Sequence, residues 1–348
     1  MADYIRQLEE RAGMGSAGAQ HLTGPAAGYS DRVEVSETLY AEERALHASE
    51  GEFMVKSGRR EGPQQGWRSV ISRVGIPIGK GAAEIEYDHD ITKINKRLRY
   101  RKTVGVVAFK GGVGKTSMTM CLASTVAAHR QDGGVVAVDT VARGSLCLRV
   151  PGEQPAGGSV QALAQDQSLH SISDVRAHLM SNPHRLSVLG SRRELISEPL
   201  MPEDYLQALE QLRRHHEIVF VDTEPSTATP SYDTIIESLD ALILVVSPTR
   251  DSAVPGREVL PWLRERGLTE LASRTIVLLN HQSPAKPLMS VDAITNHFHN
   301  TEKVELLEIP YDPHIAEAGP ISLALLDKAT RRCFVKAAAI LLDKLPAN

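Results

Sequence analysis

The stretch FKGGVGKTS, residues 109–117, sets two lysines, Lys110 and Lys115, on either side of three glycines. Glycines let a backbone wrap tightly with its N–H groups turned inward, and a helix starting at the same point adds a favourable dipole. Such a loop cradles an anion. At this spacing Gly111, Gly112, Val113 and Gly114 form the cradle, and Lys115 reaches the β- and γ-phosphates of a bound nucleotide. Thr116 and Ser117 open the helix, with the Thr116 hydroxyl placed to ligate magnesium. One lysine suffices for that task, so Lys110, outside the cradle, is left without a duty that spacing alone can assign.

Such a loop works only between a strand and a helix. The apolar run VGVVAF (104–109) precedes it and the helix-compatible TSMTMCLASTVAAHR (116–130) follows it. Similar runs recur at GVVAVD (134–139), RLSVLG (185–190), EIVFVD (217–222), ALILVVS (241–247), RTIVLLN (274–280) and VELLEIP (304–310). Continuous β-branched runs separated by longer helical stretches predict an α/β fold with a mainly parallel sheet covered by helices on both faces. Ligands bind such sheets at the carboxyl ends of the strands, and the phosphate loop falls there.

Composition narrows the class. Aromatic residues make up only 4% of the chain, too few for a stacking platform on single-stranded nucleic acid, and the net charge of -4 excludes a wholly basic binder while leaving room for a local basic patch. Cys121, Cys147 and Cys333 are widely spaced, which points to neither a disulfide framework nor a zinc site and fits a cytoplasmic protein. The first residues, MADYIRQLEERAG, lack the apolar core of a signal peptide, and no stretch approaches the length of a membrane span.

Residues 1–62 are rich in Gly, Ala, Ser and Glu without sustained periodicity and read as a largely disordered tail. Residues 63–102 read as a linker segment. Within it Trp67, Val70, Ile71 and Val74 take helix-like spacing, and ITKINKRLRYRK (91–102) carries six basic side chains. As a helix the basic run would offer cations to DNA or to an anionic membrane surface; its plainer reading is a solvated face. The domain proper is expected over 103–348.

Taken whole, KGGVGKT with its early lysine resembles the deviant Walker A motif of the MinD/ParA family of P-loop ATPases, and the likeness runs from about Arg101 to Asn348. The resemblance implies that Lys110 crosses a dimer interface to the phosphates held by the facing subunit, so that ATP occupancy drives homodimer assembly. It implies that Asp222, closing IVFVD, holds magnesium and that Glu224-Pro225-Ser226 forms the second switch. It also implies that Asn280 reads adenine, with Pro310 in the segment packing on the base. Asp139 begins the first switch, Asp139-Thr-Val141-Ala-Arg143-Gly144, where many relatives carry a second, water-orienting aspartate. Val141 stands there and cannot orient water, so hydrolysis is expected to be slow or partner-stimulated, with Lys110, Lys115, Asp139 and Asp222 in the catalytic roles. The GWR segment, VVAVD with RGSL, and the ending YDPHIAEAGPISLALLDKATRRCF resemble MinD-like ATPases that accompany actinobacterial type VII secretion systems. That likeness implies a protein partner in a secretion or division assembly.

Other signals are weaker. His297 and His299 in HFH, and the pair His215-His216, lie in stretches read as helical, where neighbours one or two apart do not share a face, so no metal site is expected from them. TRRCFVKAAAILLDKLP is apolar enough for a membrane-targeting helix but reads better as the last packing layer of the domain.

Overall fold

A computed structural model describes residues 82–130, 134–192, 198–225, 227–287 and 289–346. The tail and the Trp67 segment lie outside the described residues, as does Ser226. An eight-stranded sheet forms the centre, in the order β3-β4-β2-β5-β1-β6-β7-β8. Its strands are β1 (Lys102–Val107), β2 (Gly134–Asp139), β3 (Met180–Ser181), β4 (Leu186–Leu189), β5 (His216–Asp222), β6 (Ala241–Val246), β7 (Thr275–Asn280) and β8 (Glu305–Ile309). Every apolar run picked out above is a strand. All pairings are parallel except β3 with β4, a two-residue antiparallel edge that the sequence pattern missed.

Alternation within the strands sends side chains to two cores. Val104, Val106, Ile218, Phe220, Ile243 and Leu278 face one side. The helix α2 (Lys115–His129) and the last helix, α11 (Lys328–Lys344), cover them. On the other side Val107, Leu244 and Leu279 meet α7 (Arg250–Glu265), while Val138, Val219 and Val221 meet α5 (Pro202–His215). This double burial explains why the strands read as unbroken apolar runs. Short helices fill the remaining connections: α3 (Val160–Gln165), α4 (Ile172–Ala177), α6 (Tyr232–Glu237), α8 (Thr269–Ser273), α9 (Val291–Asn296) and α10 (Pro313–Ala316).

Helix α2 lacks an apolar stripe because it is buried nearly all round, from Ser117 to Ala127. Its small residues permit that close packing, and Thr125 Oγ1 donates to the Cys121 carbonyl one turn back at 2.8 Å. Helix α11 buries Phe334, Val335, Leu341 and Leu342, a packing layer. Among the described residues no helix is long and apolar enough to cross a membrane.

The basic run does not form one helix. The first described helix, α1 (Ala82–Ile94), packs on α11 and ends inside the run, with Ile94 fully buried. Lys93 pairs with Asp343 at 2.8 Å, and Lys102 starts β1 buried, 3.8 Å from Asp240. Lys96, Arg97, Arg99 and Arg101 are exposed. His215 closes α5 and His216 opens β5, so that pair straddles two elements instead of sharing a helix. His297 and His299 sit in a π-type turn, and no metal-binding cluster of His, Cys, Asp or Glu occurs among the described residues.

Candidate nucleotide site

The carboxyl ends of β1, β2, β5, β7 and β8 open into a cleft of about 510 Å³, a size that suits a small-molecule ligand. After β1 the chain turns into α2 through Gly112 and Gly114, whose φ angles are 79° and 87°. Glycine takes such angles without steric cost. A Cβ on Gly114 would also sit 2.5 Å from Asn280 Nδ2. That amide donates to the Val113 carbonyl at 2.8 Å, and Gln282 Nε2 donates to the Gly112 carbonyl at 2.5 Å, so the loop is tied to the end of β7. No side chain caps α2 and its first turn holds no acidic residue. Its N-terminal N–H groups therefore have no built-in anion to compete with a phosphate.

Beneath the loop three side chains converge on Asp222, whose carboxylate is fully buried. Lys115 Nζ donates to Oδ1 at 2.5 Å and Thr116 Oγ1 donates to Oδ2 at 2.7 Å. Thr119 Oγ1 lies 3.1 Å from Oδ1 and 3.0 Å from the Lys115 carbonyl, between which its single proton is shared. A buried carboxylate without such partners would cost several kcal/mol. Thr119 carries no motif signal, but its place one turn after Lys115 puts it on the same helix face.

Asp139 pairs in register with Asp222 across β2 and β5 and is also buried. Its carboxylate accepts from the Val141 N–H at 3.1 Å and the Leu146 N–H at 2.9 Å. Burial, and then the charge of Asp222, raise its pKa above the ordinary carboxylate value. The segment after β2 wraps it closely, since a Cβ on Gly144 would fall 2.0 Å from Asp139 Oδ1. Val141 lines the cleft, and its backbone N–H bonds Asp139. Arg143 is exposed at the rim with φ of 54°. Glu224 Oε1 accepts from the Ala142 N–H at 2.5 Å, which links the segment after β2 to the segment after β5.

Lys110 stands at the lip. Its side chain is 49% exposed and its Nζ lies 3.1 Å from Asp251 in the first turn of α7. The Thr249 hydroxyl and then Lys110 hold the Asp251 carboxyl below its usual pKa. Gly111, Ser117, Asn280 and Pro310 line the same cleft, whereas Val113 is turned into the core. At the far end Asp312 is buried and caps α10, accepting from the His314 N–H at 3.0 Å and the Asp327 N–H at 2.8 Å. Arg149, which sequence reasoning passed over, also lines the cleft.

No family model matches the chain. Among solved structures it is similar to a ParA family ATPase from Chlorobium tepidum, with a TM-score of 0.56 and 17% identity over 69% of this chain and 98% of that one. The cell division ATPase MinD of Pyrococcus furiosus superposes with a TM-score of 0.53 and 20% identity, again over 69% and 98%. The chain has the MinD/ParA fold. In sequence it is 30% identical over 285 residues to the ESX-1 secretion-associated protein EspI of Mycobacterium tuberculosis, a match covering 80% of this chain. The chain spans 42% of the length of that relative. The solved structures agree with the MinD/ParA likeness, and the secretion-associated relative agrees with the link to type VII secretion that the motifs implied.

The donor set fits magnesium. One hydroxyl and one carboxylate stand side by side in Thr116 and Asp222, which is the sparse protein contribution expected when phosphate oxygens and water complete an octahedral shell.

Proposed function

We propose that the chain is an ATP-dependent, dimerising ATPase switch of the MinD/ParA type that serves a partner assembly, a type VII secretion system first among the candidates. The convergence of Lys115 and Thr116 on Asp222 directly under a glycine loop carries this reading. It assembles phosphate-binding and metal-binding groups at one helix N-terminus. Secretion is favoured by the likeness to EspI. DNA or an anionic membrane would be met through the exposed cations of residues 96–101.

In this reading Gly111, Gly112, Val113 and Gly114 wrap the phosphates, and Ser117 continues the cradle on α2. Lys115 leaves Asp222 to neutralise the β- and γ-phosphates. Thr116 and Asp222 would hold magnesium, which would offset the negative charge of the phosphates. Asp139 stays behind Asp222 and orders the first switch through the Val141 and Leu146 N–H groups. Asn280 and Pro310 flank the base. Lys110 crosses to the partner's nucleotide, so the population of dimer follows ATP occupancy.

One observation favours a second reading, a nucleotide-binding scaffold with little turnover. Val141 places an apolar side chain where an orienting carboxylate would serve, and its hydrogen bond to Asp139 comes from the backbone. Phosphate release from Mg-ATP, with and without secretion-system components, separates the two. A slow basal rate that rises with a partner supports the switch, whereas tight ATP binding without release under every condition supports the scaffold.

A further inference from the structure

Arg149 is a charged side chain that the reading above leaves without work. Its backbone is fixed on both sides, with its N–H donating to the Leu146 carbonyl at 3.0 Å and its carbonyl accepting from the Ile321 N–H at 2.9 Å. From that anchor Arg149 lines the cleft, as do Lys115, Ser117 and Ser145. Nε and Nη1 are both shielded from water and neither has a hydrogen-bond partner. Arg130 offers a contrast within the same fold: its Nε is likewise unpartnered, yet its guanidinium reaches Glu217 and the Ile94 carbonyl, each at 2.6 Å. Arg149 makes no such side-chain bond among the described residues.

A buried donor without an acceptor costs about 1–3 kcal/mol, and more when the group is charged. Such an arrangement persists where something else supplies the anion. Asp222, the carboxylate whose charge reaches Arg149, is already bonded to Lys115 and Thr116. Arg149 shares the cleft with Lys115, Thr116 and Ser117 of the first turn of α2.

We propose that Arg149 is a nucleotide-binding residue, its guanidinium turning into the cleft to donate to the polyphosphate once that anion is bound. This rests on the reading of the cleft as a nucleotide site. Guanidinium suits the task because it stays charged when buried and bonds phosphate oxygens through several fixed donors. The contact adds a cation in the same subunit that no glycine-loop motif announces.

The test uses the full chain as wild type, Arg149→Lys and Arg149→Met, with thermal melts without nucleotide and titrations with Mg-ADP and Mg-ATP. In the Met variant the nucleotide-free melt should stay at or above the wild-type temperature, because an uncompensated buried charge is gone. Its affinity for both nucleotides should fall about 10- to 100-fold, the worth of a hydrogen bond to a charged group. Arg149→Lys should recover part of that loss. Wild-type affinity in the Met variant would overturn the proposal, as would a lower nucleotide-free melting temperature with unchanged affinity, the mark of a structural arginine. If the wild type binds neither nucleotide, the reading of the cleft fails and this proposal fails with it.

Discussion

The two lysines of the phosphate loop live in opposite environments. Lys115 is 9% exposed and locked to a fully buried Asp222, in a cluster that Thr116 and Thr119 complete. Lys110, five positions earlier, is half exposed and, among the described residues, pairs with Asp251, which is itself more exposed still. An ion pair in the first setting is part of the fold, and breaking it strands a charge. In the second setting water screens both partners, so the pair contributes little and can be exchanged. The loop thus holds one cation that is built in and one free to engage something outside its own chain.

Three substitutions test that contrast. Lys115→Ala leaves Asp222 buried with hydroxyl donors only, and should destabilise the domain by about 3–5 kcal/mol and abolish nucleotide binding. Denaturant melts and a nucleotide titration measure both, and a variant as stable as wild type would show that the buried pair carries no weight. Gly114→Ala forces a side chain into the left-handed region and against Asn280, at a cost of about 1–2 kcal/mol from the backbone alone. It should weaken nucleotide binding because the Val113 carbonyl loses its tie to Asn280, and an unchanged melt would remove the loop geometry from the account. Lys110→Ala should shift stability by less than about 1 kcal/mol and leave nucleotide affinity close to wild type while eliminating ATP-dependent dimerisation. Sedimentation of the variant with ATP checks this, and a normal dimer would assign Lys110 to the surface alone.

Much of this contrast was legible beforehand, for reasons particular residues make plain. The long strands announced themselves because Val106, Phe220 and Leu278 on one face and Val107, Val221 and Leu279 on the other are all buried, which leaves an unbroken apolar run. Strand β3 escaped because Met180 and Ser181 make a pair too short to show alternation. The glycine loop and Asp222 were readable because their chemistry dictates residue type and spacing. Burial of individual charges was not. Lys102 counted with the basic run yet starts a central strand, and Arg149 in SLCLRV belongs to no pattern. Both depend on what the rest of the chain packs around them, and no local window contains that information.

The measurement that bears most directly on the switch is the mass of the purified chain in solution with magnesium and a non-hydrolysable ATP analogue, compared with magnesium and ADP. Light scattering should show a dimer with the analogue and a monomer with ADP. A monomer at high protein concentration, with the analogue shown to be fully bound, would contradict the exchange of Lys110 between subunits on which the proposed function rests.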